Sequence, residues 1–173
     1  MIMREEKDTD TLYIRHVHIQ AFDGTDEALI VEALRNNHCL AVSLVCEMDD
    51  KIVGHIAYSP LYHDDKVIGL GLAPVAVLPE YQKKGIGSAL IKKGNETALK
   101  KGVKKIFVLG DPKYYSKFGF KSAKKYNYYC KFDPEGKYFM ILGKSIKQQK
   151  QKITVEYGKE FKEKKRGTRS KIN

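Results

Sequence analysis

The chain of 173 residues has only three cysteines, Cys39, Cys46 and Cys130, at spacings that fit neither a zinc ribbon nor a disulfide framework. An odd set of this kind is that of reduced thiols, so the expected compartment is the cytoplasm. Long apolar runs are also missing. The longest nearly uncharged stretch, Val67 to Pro79, is broken by Gly and Pro and is too short to cross a bilayer, so no membrane partner is expected. Residues Met1 to Asp8 turn charged at position 4 without an apolar core, and no secretory leader is expected. Proline is scarce at five residues, and 42% hydrophobic against 31% charged content is that of a folded globular protein, not a disordered or fibrous one. A chain of this length buries about 70% of its unfolded surface and needs no staple. No metal is expected: His16 and His18 at i,i+2 cannot share a helix face, and Cys39 beside His38 lacks a C-x-x-C partner.

Acidic residues are sparse in the second half. Residues 1–82 hold six Lys/Arg against fourteen Asp/Glu, residues 83–131 hold fourteen lysines against two acids, and residues 144–173 hold eleven basic against three acidic. The net charge of +11 therefore hides a division in which one half favours a cationic ligand and the other an anionic one.

The periodicity reads as β-α-α-β-β-β-α-β-α-β-β. A short strand at Ile2 to Arg4 precedes a helix introduced by Asp8-Thr-Asp10 that carries Leu12, Val17, Ile19 and Phe22. A second helix follows Thr25, with Ala28, Leu29, Val31, Ala33 and Leu34 near helical spacing until Asn36-Asn37. Cys39 to Glu47 and Ile52 to Leu61 form a hairpin across Asp49-Asp50, and Val67 to Leu78 is a strand buried on both faces. Ile86, Ala89, Leu90, Thr97 and Ala98 trace one side of a helix that stops at Gly102. A buried strand from Lys105 to Leu109, a short helix through Tyr114 and Tyr115, and strands at Phe120 to Phe132 and Lys137 to Gly143 complete the body. Mixed elements in this order place one sheet between helices.

Chemistry concentrates where the buried strand meets the third helix, in Val75-Ala-Val-Leu-Pro-Glu-Tyr-Gln-Lys-Lys-Gly-Ile-Gly-Ser88. A helix opening at Gly85 leaves successive N–H groups without intrahelical acceptors. Gly85 and Gly87 let backbone approach an anion, the helix dipole favours negative charge, and Lys83 and Lys84 add cations at the rim. These features imply a bound phosphate group. Gly85-Ile-Gly87-Ser-Ala-Leu90 lacks the third small residue of the dinucleotide fingerprint, and no stretch matches G-x-x-x-x-G-K-[ST].

Gln82-x-x-Gly85-x-Gly87 after V-x-V-x-P resembles the acetyl-CoA signature of the GNAT superfamily of N-acetyltransferases. Tyr115-Ser-Lys-Phe-Gly119-Phe120 lies at the family's usual distance downstream. Gly110-Asp-Pro-Lys-Tyr-Tyr-Ser-Lys-Phe-Gly-Phe120, with Gly-Leu-Ala-Pro-Val-Ala-Val-Leu-Pro79 upstream, is similar to the YhbS-like branch. The resemblance implies an α/β domain over residues 1–145, with a central mixed, mostly antiparallel sheet flanked by helices and splayed between its fourth and fifth strands. Residues 146–173 then form a basic C-terminal extension, with an edge strand near 153–157. It further implies an acetyl-CoA dependent N-acetyltransferase that moves the acetyl group directly to a primary amine. Acetyl-CoA would be held by Val75, Ala76, Val77, Gln82, Lys83, Lys84, Gly85, Ile86, Gly87, Ser88 and Pro112, with Tyr115 as general acid. The acidic half places Asp26 and Glu27 where the acceptor enters in this fold, which suggests a cationic amine. No general base is assigned: His55 reads as a satisfied sheet histidine and Glu80 as a solvated turn residue. The state is expected to be monomer or homodimer. The alternative is a non-catalytic GNAT-like scaffold that binds nucleic acid or the ribosome through Lys164, Lys165, Arg166 and Arg169. Residues 1–143 carry only +3 and no nucleic-acid reading motif accompanies that tail, so the enzyme reading is preferred.

Overall fold

The computed structural model describes residues 1–161, and the basic run from Lys164 to Arg169 lies outside the described residues. Strand β1 (Ile2–Glu5) precedes helices α1 (Thr11–Phe22) and α2 (Asp26–Asn36). Strands β2 (Val42–Met48), β3 (Lys51–His63) and β4 (Lys66–Val77) follow, then helix α3 (Ile86–Lys100) and strand β5 (Ile106–Leu109). The single turn α4 (Pro112–Tyr115) leads to short strands β6 (Lys121–Ser122), β7 (Tyr128–Cys130), β8 (Phe139–Leu142) and β9 (Ile153–Tyr157).

The expected order holds, with local departures. β2 starts at Val42 and not at Cys39, because His38 turns the chain through the left-handed region (φ 55°) and Cys39 N–H still bonds the Leu34 carbonyl. The stretch expected as strand from Phe120 to Phe132 is broken by a 3-10 turn at Ala123–Tyr126. The Asp10 side chain accepts no capping hydrogen bond from α1. Its carboxylate instead accepts from Arg4 and from Lys7 N–H, tying β1 to the helix start.

The sheet is open and runs β1-β2-β3-β4-β5-β8-β6, antiparallel except for the β4–β5 pair. β9 has neighbours on both sides, parallel to β7 and antiparallel to β3, so the strand expected at an edge lies between two others. Val155 is fully buried there with Leu61, Phe107, Tyr128 and Phe139.

Central strand β3 is covered on both faces. His55 meets His18 of α1, while the Tyr58 hydroxyl donates to Asn95 Oδ1 of α3 at 2.9 Å, and residues three apart on a strand point oppositely. On the α3 side, Ile86, Leu90, Ile91 and Ala98 are buried in one cluster with Ile56 and Tyr58. Each buried Ile or Leu side chain there contributes on the order of 1.5–3 kcal/mol.

A bulge sets the geometry of the next gap. Ile56 pairs Val75 and Tyr58 pairs Leu72, so Ala73 and Pro74 face the single residue Ala57. Two residues against one bend the bulged strand, and a proline, lacking N–H, is tolerated there. β4 pairs β5 only at Leu70↔Ile106 and Gly71↔Phe107. Beyond Gly71 the two strands part, which is the expected splay.

Under α1 and α2 lies a buried polar chain. Arg35 forks onto Glu6, Ser43 Oγ donates to Glu6, His55 Nε2 meets Ser43 Oγ at 2.8 Å, and His18 Nε2 meets His55 Nδ1 at 2.8 Å. Burial works against the Glu6 carboxylate, but bonds from His55, Arg35 and Ser43 outweigh it and hold its pKa below the usual range. Burial lowers both histidine pKa values from 6.5, and for His55 the Glu6 bond only partly offsets this. A depressed imidazole pKa means that the unfolded chain binds more protons below 6.5. Stability is therefore complete above that value and falls as pH falls, by up to about 1.4 kcal/mol per pH unit for each histidine. Thermal unfolding between pH 7.5 and 5 should show a falling midpoint, and the slope should flatten in a His18→Gln, His55→Gln variant.

Candidate active site

The parted strands open into a cavity of about 620 Å³. One wall is the bulged stretch of β4, including Val75, Ala76 and Val77. Its floor is β5 at Val108 and Leu109, and its rim is the turn into α3 with Gln82, Lys83, Gly85, Ile86, Gly87 and Ser88.

That rim is held open by its own backbone. Gly85 sits at φ 82° as the α3 N-cap, a left-handed position where a side chain would be strained, and Lys83 is also left-handed at φ 59°. Ala89 N–H is the first to bond back, to the Gly85 carbonyl. Among the described residues, the N–H groups from Lys83 to Ser88 have no protein acceptor. Gln82 is turned away from them: its Nε2 donates to the Val77 carbonyl at 3.0 Å and braces the turn. A fan of unpaired donors at a helix N-terminus, with Lys83 beside it and no acid among the residues lining this end, fits an anion such as a pyrophosphate.

Tyr115 shares the cavity with the fan and the split. It lines the cavity yet is only 2% exposed, packed edge-on to Tyr114 (5.2 Å between centroids) and Phe120 (5.8 Å). Asp111 starts α4 by accepting from Lys113 N–H at 2.8 Å, which turns both tyrosines inward. Burial, and secondarily Tyr114, push the Tyr115 phenol above its ordinary 10, so it keeps its proton at neutral pH. None of the hydrogen bonds among the described residues engages its hydroxyl.

Of the residues singled out from sequence, Lys84, Pro112 and Asp26 do not line the cavity. Lys84 folds back, its Nζ donating to the Glu80 carbonyl at 2.9 Å and sitting 5.3 Å over the Tyr81 ring. Pro112 opens α4, and Asp26 is exposed at the start of α2. Glu27 does line the cavity, with Ile30 one turn on. Tyr114 was missed by sequence reasoning: its Oη lies 3.4 Å from Ser88 Oγ, linking α4 to the helix start. His55 is buried away from the cavity. Among the described residues no cluster of three metal-ligating side chains forms, and no helix is long and apolar enough to cross a membrane.

The model of the acetyltransferase (GNAT) family matches residues 6–120. The chain belongs to the GNAT family. The uncharacterised N-acetyltransferase YhbS of Escherichia coli K12 is 30% identical over 134 residues, covering 76% of this chain and 80% of that protein. The crystal structure of E. coli YhbS in complex with CoA superposes with a TM-score of 0.83 at 26% identity, covering 92% of this chain and 91% of that one. A GNAT acetyltransferase from Brucella melitensis in complex with acetyl-CoA gives a TM-score of 0.79 at 35% identity, covering 92% and 97%. In this GNAT member the cavity also draws Phe132, Tyr157 and Phe161 from beyond the matched segment.

Gly110 fixes the Tyr115 position. A Cβ there would overlap the Tyr115 ring, lying 2.7 Å from Cδ2. Gly110→Ala should lower stability by about 1–3 kcal/mol. Thermal unfolding checks this, and an unchanged midpoint would mean that the ring has room to move.

Proposed function

We propose that the protein is an acetyl-CoA dependent N-acetyltransferase that moves an acetyl group directly to a primary amine, with Tyr115 as general acid. The reading is carried by one observation: an unpaired N–H fan at the α3 N-terminus opens beside the unpartnered edge of β4 into one cavity that Tyr115 also lines. The complexes of the two solved relatives with CoA and acetyl-CoA support it.

In this reading the amides from Lys83 to Ser88, with Lys83, hold the pyrophosphate, and Val75 to Val77 present backbone to the pantetheine arm as a neighbouring strand would. Acetyl-CoA supplies an acetyl group already activated as a thioester. The neutral amine nitrogen forms the C–N bond and loses one proton, the C–S bond breaks, and the sulfur leaves as a thiol. Tyr115 Oη gives the sulfur its proton, the proton lost by the amine restores the phenol, and the raised pKa keeps it protonated up to alkaline pH. The aromatic surround of Tyr114, Phe118 and Phe120 fixes the ring and excludes water.

Tyr115→Phe should lower kcat by about 100-fold or more while leaving the acetyl-CoA dissociation constant nearly unchanged. An unchanged kcat would remove Tyr115 from the chemistry. Gly85→Glu should abolish acetyl-CoA binding by setting a carboxylate against the phosphate fan, as calorimetry would show.

A further inference from the structure

We propose that the acceptor is a monoamine carried on an apolar, ring-sized body, selected by an aromatic wall that the segment after β8 helps to build. The inference rests on the acetyltransferase reading and narrows its substrate class.

The cavity walls are of two kinds. Toward α3 they are backbone donors and Lys83. Toward α1, α2 and β9 they are apolar: Phe22, Ile30, Phe132, Tyr157 and Phe161. Three of these form one surface, with Phe132 and Tyr157 centroids 5.5 Å apart and Tyr157 and Phe161 5.0 Å apart, each pair edge to face. Such a surface takes up an aromatic or branched apolar body through burial and edge contacts.

The acidic half of the chain, which suggests a cationic acceptor, does not converge here. Asp10 and Glu47 pair with Arg4, Glu6 with Arg35 and Glu32 with Arg15, while Asp23 and Asp26 are exposed. Glu27 is the one acid among the described residues that line the cavity. A polyamine or aminoglycoside would bring several ammonium groups to a wall that offers one carboxylate, and each unpaired charge would be desolvated at a cost. A single amine that reacts in its neutral form escapes that penalty.

The aromatic wall is anchored. Tyr157 and Glu156 pair with Leu61 and Tyr62 of β3, and the buried Glu160 accepts from Asn37 Nδ2 at 2.6 Å, next to Phe161. Asn37 lies just past α2, so one clasp joins the two sides of this end. Phe132, Tyr157 and Phe161 all fall outside residues 6–120, so the wall is built from beyond the segment that the family model matches.

The test uses the full chain with saturating acetyl-CoA, reading thiol release with 2-phenylethylamine, spermidine and a lysine-containing peptide, and acetyl-CoA affinity separately by calorimetry. The expected result is a kcat/KM for 2-phenylethylamine at least about tenfold above the other two. Phe161→Ala and Asn37→Ala should raise the KM for 2-phenylethylamine by about tenfold, with acetyl-CoA affinity unchanged and Phe161→Leu largely restoring KM. Preference for spermidine or the peptide, no turnover of 2-phenylethylamine, or a KM indifferent to Phe161 would overturn the inference while acetyl-CoA binding leaves the acetyltransferase reading standing. Failure to bind acetyl-CoA would overturn both.

Discussion

After Gly71, β4 has a partner on one side only, and the rest of the site follows from that loss. The cause is local: Ala73 and Pro74 crowd against one residue of β3, so the strand bends away from β5 and the sheet opens in its interior instead of at its rim. An open edge in the middle of a sheet is normally a liability, since unpaired backbone groups invite another chain. Here both flanks are packed. α3 is bound to β3 through Tyr58 and Asn95, and β5 is held by β8 and by the stacked Phe107 and Phe139. The gap is therefore a fixed feature of a well-packed body.

The same opening brings unlike chemistries together. The α3 N-terminus supplies unpaired donors, α4 supplies a tyrosine whose proton burial retains, and β9 closes the far end with rings. Each is positioned by an element that does not itself line the whole cavity. The buried chain from Arg35 through Glu6, Ser43 and His55 to His18 has a different role. It docks α1 on the sheet, and Phe22, stacked 6.0 Å from His18, carries that docking to the cavity wall.

Much of this is legible in the sequence. The change of period at Pro79, the glycines at 85 and 87, and the Tyr115 to Phe120 motif are local signals, because turn geometry and helix starts are written in consecutive residues. Contacts between distant segments are not. Nothing in the local pattern of residues 153–157 tells an edge strand from one lying between β3 and β7, and nothing near Phe161 shows that Asn37 holds its neighbour. Asp26 and Glu27 look equivalent in sequence, but the helix turns one outward and the other to the cavity. Lys84 and Lys83 look alike in sequence, but a carbonyl and a ring of the turn itself hold Lys84 outside the cavity lining.

The central claim is that the α3 N-terminus and the β4–β5 split together hold acetyl-CoA. Thermal unfolding at moderate salt, with acetyl-CoA at about a hundredfold over its dissociation constant and with ATP as a polyanion control, tests it most directly. The account predicts a rise of roughly 5–11 °C with acetyl-CoA and little with ATP. No shift with acetyl-CoA, or an equal shift with ATP, would contradict it and leave the helix start as a packing turn beside lysines.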